Sequence, residues 1–320
     1  MTPRDETTYF VISIDTETYK GNGRYPDFQA NLYGKYKDDQ FGVQKIMDIS
    51  DRYGAKSTFF VDVYMHYFYG KPRVKEFCRH ISAQGHDVQL HAHPAWLPGS
   101  HSGFLYDFPL SRQVEILREG RNLIGDWTGS APIAFRAGSY SANLDTIRAL
   151  EETDFRLDSS YFAYRPSCRL SSQLKNAHAN RPFYIRSILE LPVTAYWMIN
   201  HRLFRKVSKL DFNACSLAEL TDVVPQMVGS GIKFIVLFLH SFSFIRWNKD
   251  FTSYSPNHHA IARFEGLLKQ ISAMRHDVRF CTMQEAAHMT IPETENDNDF
   301  VPTVGFLRLF PRALQRAFGH

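Results

Sequence analysis

Two imidazoles one residue apart, His91-Ala92-His93, follow the short strand candidate Asp87–Leu90 and give the sharpest chemical signal in the chain. Alternate residues on a strand project to one side, so both rings can reach a single ion if a carboxylate arrives from a neighbouring strand. Asp15 and Glu17, which flank Thr16 after the apolar run Tyr9–Ile14, offer that carboxylate. An acid at the end of a buried strand is costly unless it is ionised against a cation or hydrogen-bonded. One carboxylate can then bind the ion while the other takes a proton from an attacking water, and the two assignments stay open. Arg136, in Ala-Phe-Arg-Ala-Gly-Ser-Tyr, can hold a carboxylate in a bidentate pose. His240 comes directly after Lys-Phe-Ile-Val-Leu-Phe-Leu and reads as a general acid, and Asp158 closes a further strand candidate. The other histidines, His66, His80, His86 and the His258-His259 pair, fall on helix or loop patterns and read as solvated or structural.

These residues need a scaffold that gathers strand ends at one place. Eight short runs read as strands: 9–14, 57–61, 87–90, 133–136, 155–158, 188–192, 233–239 and 278–282. The run at 233–239 is apolar almost throughout, as in a strand buried on both faces. Helical patterns fall between them at 42–53, 74–84, 111–124, 144–152, 217–228 and 258–275. Ser111, Asn143 and Asn257 are expected N-caps, and Gly54 and Gly85 expected stops. Alternating strands and helices predict parallel β/α units, and this order favours a closed or nearly closed barrel over an open doubly wound sheet. In such a barrel the residues just past each strand share one mouth. The barrel is expected over residues 8–290, with a C-terminal tail from 291 to 320.

Composition narrows the function classes. The chain has 320 residues, 44% apolar and 22% charged, which is ordinary for a globular protein and excludes disorder and small disulfide scaffolds. A net charge of +4 is too diffuse to indicate nucleic-acid binding. Cys78, Cys168, Cys215 and Cys281 have no paired spacing, so they read as reduced, buried thiols rather than a zinc ribbon or redox pair. No glycine-rich phosphate loop follows any strand. The first residues carry two acids and no apolar run, and no stretch is apolar enough to span a membrane, so a cytoplasmic location is expected. Residues 304–318 mix apolar and basic positions, interrupted by Pro311. They read as a helix packed on the barrel, or as a peripheral membrane or homo-oligomer contact.

From Tyr9 to Met289 the chain resembles the polysaccharide deacetylases of the NodB-homology type, carbohydrate esterase family four. The resemblance rests on ordered local matches. Ser-Ile-Asp-Thr-Glu at 13–17 stands where the family has paired aspartates, and Ser-Thr-Phe-Phe-Val at 57–61 follows as its second strand. The segment 85–94 carries the histidines, and Phe-Arg-Ala-Gly-Ser-Tyr at 135–140 stands for the arginine motif. Residues 157–162, 238–244 and 281–286 are similar to the later motifs. The chain departs from the pattern at Thr16, which replaces the second aspartate. It departs again at Ala95, where a second histidine would stand, and at Gly138-Ser139, which replace a proline. These changes match a divergent branch with a His-x-His-Pro motif.

The resemblance implies a divalent metal, most often zinc, held by His91, His93 and Glu17, with Asp15 as general base and His240 as general acid. Arg136 and Asp158 would orient these groups, a backbone N–H near Tyr140 would stabilise the oxyanion, and Trp96 would stack on a sugar ring. The implied reaction is metal-dependent hydrolysis of an N-acetyl group on a sugar, within a glycan precursor. Two alternatives stand beside it: a metal-independent amidohydrolase acting on a small C–N substrate, and a non-catalytic glycan-binding relative.

Overall fold

The computed structural model describes residues 7–18, 27–174, 178–291 and 300–312. Its main strands are β1 (Thr8–Thr16), β2 (Thr58–Asp62), β3 (Asp87–Ala92), β4 (Ala134–Ala137), β5 (Leu157–Asp158), β6 (Ile188–Glu190), β7 (Phe234–His240) and β8 (Val278–Phe280). The principal helices are α1 (Val43–Arg52), α2 (Lys71–Ala83), α3 (Leu110–Thr128), α4 (Leu144–Glu151), α5 (Leu217–Gly229) and α6 (His258–Ala273). All eight expected strands and all six expected helices form, with ends displaced by a few residues.

Seven strands run parallel in the order β7-β1-β2-β3-β4-β5-β6, and β8 pairs with the start of β1. An antiparallel strand, Phe183–Ile185, ends the sheet beside β6. The result is a curled, incompletely closed β/α barrel. The outer edge of β7 is covered instead by residues 194–212: Phe238 exchanges backbone hydrogen bonds with Leu210 and Phe212, and Thr194 accepts from the Val236 N–H. The hairpin Ala195–His201/Phe204–Lys209 in this cover was not read from sequence: its first strand is apolar from Ala195 to Ile199 and bulged between Trp197 and Ile199, so no alternation marks it.

Strand alternation sorts the core into two layers. Val11, Phe60, Ala134, Leu157, Leu189, Phe234 and Val236 point inward, and Cys281, Met283 and Ala286 pack with them. Phe10, Ile12 and Ile14 point outward against the helices. Each helix answers with an apolar stripe; in α1 this is Val43, Ile46, Met47 and Ile49.

Helix ends follow local chemistry. Asn143 and Thr146 form a reciprocal cap on α4, as Ser216 and Glu219 do on α5, and Asn257 accepts from the Ala260 N–H. Gly54 and Gly85 adopt the positive φ that ends α1 and α2. Ser111 does not cap α3: the helix starts at Leu110 behind Pro109, without a side-chain cap. All four cysteines are buried and free. The acidic segment 292–299 and the end of the tail, 313–320, lie outside the described residues. Within the tail, Phe306–Leu309 forms a single 3₁₀ turn.

Candidate active site

The inward face changes character along its length. Above Val11 on β1 come Ser13 and Asp15, above Phe60 on β2 comes Asp62, and above Gln89 on β3 comes His91. Arg136 follows Ala134 on β4, and His240 ends β7. Strand register brings these residues level: Asp15 lies opposite His240, Asp62 opposite His91, and His91 opposite Arg136. A floor that is apolar except for the hydrogen-bonded group Thr58, Asp87 and Gln89 thus supports a polar rim at the C-terminal edge of the sheet, where loops leave for the helices.

Arg136 anchors the rim. It is fully buried, and its guanidinium donates to Asp15 Oδ1 at 2.8 Å, to Ser13 Oγ and Ser159 Oγ at 3.0 Å each, and to the Ser159 carbonyl at 3.1 Å. The Phe60 ring lies 4.4 Å from its central carbon. Burial opposes charge on Asp15, but Arg136, with His91 and His240, holds its carboxyl below the ordinary range. Asp15 is therefore an ionised carboxylate with one oxygen clamped. The other, Oδ2, faces His91 Nε2 at 3.8 Å.

Glu17, His91 and His93 converge beside it. The His91 Nδ1–H donates to the Arg136 carbonyl at 2.8 Å, which turns Nε2 toward the mouth. That nitrogen is buried and has no hydrogen-bond partner, and Glu17 Oε2 lies 3.7 Å from it. His93 Nε2 meets the same Glu17 oxygen at 2.6 Å. One ligand atom from each of the three residues lies within 4.8 Å of the others. Two imidazole nitrogens and a carboxylate are the donor set of an open zinc site, and the orphaned His91 nitrogen supplies the lone pair, so the residues fit a divalent metal. Burial disfavours charge on His93, yet Glu17 raises it to about 9; a metal there must displace this proton. Despite burial, His93 and His91 hold Glu17 well below the ordinary glutamate range.

The departure at Gly138 has a physical reason. A Cβ on this residue would stand 2.5 Å from His93 Nδ1 and Cε1, so only glycine admits the ring. Ser139 and Tyr140, next along, both take positive φ.

His240 completes the rim, with Nε2 3.7 Å from Glu17 Oε1 and its ring stacked 4.7 Å from Phe242. Burial pushes its pKa below the usual histidine value against the pull of Glu17, Asp15 and Asp211. Lys209 and Asp211, paired at 3.2 Å, stand near it on the edge cover, and Lys209 Nζ also donates to Tyr140 Oη at 3.1 Å. Neither was foreseen from sequence. Asp62 was missed as well, although it ends a strand; Oδ2 has no partner, and burial pushes its carboxyl up to about 7 against His93 and His91.

Two expected residues are placed differently. Asp158 follows inward-facing Leu157, so its side chain takes the opposite face, where it accepts from Ser160 Oγ and pairs with Glu190. It does not orient His240. Trp96 is buried in a short turn against Phe68 and Tyr69, which leaves no free stacking face.

No protein-family model matches the chain, and no curated protein matches its sequence. Solved structures do match. A candidate polysaccharide deacetylase from Mycobacterium smegmatis aligns at 20% identity over 92% of this chain and 98% of its own, with a TM-score of 0.61. A candidate polysaccharide deacetylase from Pseudomonas aeruginosa PAO1 aligns at 15% identity over 88% and 89%, with a TM-score of 0.55. A 4-alpha-glucanotransferase from Thermococcus litoralis aligns at 12% identity over 93% of this chain but 41% of its own, with a TM-score of 0.58. The chain therefore has the polysaccharide-deacetylase fold. Because a glycosyl-transferring enzyme shares it, function must be argued from the rim.

Proposed function

We propose that the protein hydrolyses an N-acetyl amide on a sugar of a glycan precursor, using a divalent metal, zinc by preference, held by Glu17, His91 and His93. The observation that carries this reading is the convergence of those three side chains beside a carboxylate clamped by a buried arginine. When bound, such an ion supplies Lewis acidity for the amide carbonyl and lowers the pKa of water.

The chain's own residues supply the proton chemistry. Asp15, ionised and steadied by Arg136, accepts a proton from the attacking water as its oxygen bonds to the carbonyl carbon. Arg136 keeps the Asp15 carboxylate from swinging onto the metal ligands, which favours Glu17 over Asp15 as the third ligand. A backbone N–H near Tyr140 donates to the tetrahedral oxyanion. Protonated His240 then gives its proton to the nitrogen as the C–N bond breaks, so the sugar leaves as a neutral amine and the acyl group as acetic acid or acetate. Solvent takes the proton back from Asp15 and restores His240.

The experiment is an acetate-release screen across N-acetylhexosamine donors, on chelated protein with and without added zinc. Zinc-restored release supports the proposal. Full activity in chelated protein contradicts it, and then the 2.6 Å Glu17–His93 ion pair favours a metal-independent amidohydrolase.

A further inference from the structure

Half of the exposed large apolar side chains among the described residues lie on two short segments. The hairpin turn presents Leu203 at 82% exposure and Phe204 at 57%. The tail turn presents Phe306 at 73%, Leu307 at 77% and Phe310 at 56%. Side chains this apolar are normally turned inward, and a cluster of them marks an interaction surface.

Backbone pairing sends both segments the same way. The Trp197 N–H donates to the Pro302 carbonyl at 2.8 Å, and the Val304 N–H donates to the Trp197 carbonyl at 3.0 Å. This bridge is parallel, so the tail leaves it in the direction of the strand Ala195–His201, toward the hairpin turn. The tail then folds back, and Arg312 inserts among Tyr196, Met198 and Glu219. Residues 306–310 are thus an exposed apolar turn pinned at both ends.

The charges on these segments have one sign. Arg202, Arg205, Lys206 and Arg308 are exposed, and neither 200–210 nor 301–312 contains an aspartate or glutamate. Two acids of α5 meet the tail, and both are engaged: Glu219 pairs with Arg312, and Asp222 accepts the Gly305 N–H at 2.8 Å. Apolar tips ringed by cations match a surface with an anionic skin and a hydrocarbon interior.

We propose that this face docks on an anionic lipid bilayer, with Leu203, Phe204, Phe306, Leu307 and Phe310 entering the headgroup boundary. The inference stands apart from the deacetylase reading, since no residue of the barrel mouth contributes to it. The test is flotation of the full chain with phosphatidylcholine vesicles, with and without phosphatidylglycerol. Each cation near an anionic surface is worth roughly five-fold in partitioning, so phosphatidylglycerol is expected to raise binding at least ten-fold, and high salt to reverse the gain. The double variants L203S/F204S and F306S/L307S, exposed sites that leave the fold intact, should each weaken binding about ten-fold or more. No flotation with phosphatidylglycerol, or binding that neither variant reduces, overturns the proposal. So does a dimer that these variants dissociate while vesicles are ignored, which would assign the face to a second copy of the chain.

Discussion

Among the described residues two arginine–carboxylate pairs are buried, and they are built to opposite ends. At the tail, Arg312 meets Glu219 at 2.9 Å, and every carboxylate oxygen there is occupied. Glu219 Oε1 also takes the Tyr196 hydroxyl, and Oε2 takes the Ser216 N–H and hydroxyl. At the mouth, Arg136 meets Asp15 at 2.8 Å but leaves valence unspent around it. His91 Nε2, Asp62 Oδ2 and His240 Nδ1 are buried without partners, and all belong to the one rim. Arg312 Nε is itself unpaired, so the difference lies in the carboxylates: Glu219 is saturated, whereas Asp15 keeps Oδ2 facing His91 Nε2 at 3.8 Å.

The contrast can be broken by substitution. The largest effect is expected at His240: His240→Ala should lower turnover by about 10²–10⁴-fold while zinc content stays unchanged, since His240 is assigned a proton and not the metal. Loss of zinc in this variant would move His240 into the ligand set. Removing the two arginines should separate them next. Arg136→Met strands Asp15 in the interior and should cost about 3–5 kcal/mol in denaturant unfolding, with acetate release lowered, though less than in His240→Ala. Arg312→Met leaves Glu219 with its Tyr196 and Ser216 donors and should cost about 1–3 kcal/mol, with turnover per folded molecule intact. Equal stability losses and equal activities would erase the distinction.

A subtler change sharpens it. Gly138→Ala adds one methyl group against the His93 ring and should weaken zinc about 10–100-fold by equilibrium dialysis, with little change in melting temperature. Unaltered zinc affinity would mean that His93 is not a ligand.

The smallest expected effect concerns the Asp158–Glu190 pair. Burial raises Asp158 to about 6, and burial together with Asp158 raises Glu190 well above the usual glutamate value. The native state therefore keeps a proton that the unfolded chain has already released, and stability should fall as pH rises from the ordinary carboxylate range through about 6. Glu190→Gln, which mimics the protonated form, should flatten that slope in pH-dependent unfolding. A slope unchanged by the variant would show that the pair ionises as freely as in the unfolded chain.

Most of this site was legible because of where its residues fall. Asp15, His91, Arg136 and His240 each end or follow a short strand pattern, and a parallel barrel turns all such ends to one rim. The same rule applied to Asp62 would have found it, since it follows Thr-Phe-Phe-Val directly. Asp158 failed for a different reason. Its strand is two residues long, too short for its inward and outward faces to be read from pattern, and only the packing of Leu157 fixes them. The incomplete closure was equally hidden, because the edge of β7 is covered by Thr194, Leu210 and Phe212, which flank a bulged hairpin without strand alternation.

The account rests on a cation shared by Glu17, His91 and His93, and elemental analysis of purified protein tests it most directly. The expected result is close to one zinc per chain, lost in both Glu17→Gln and His91→Ala together with acetate release. Wild-type protein that binds no divalent metal, or variants that retain it in full, would contradict the claim.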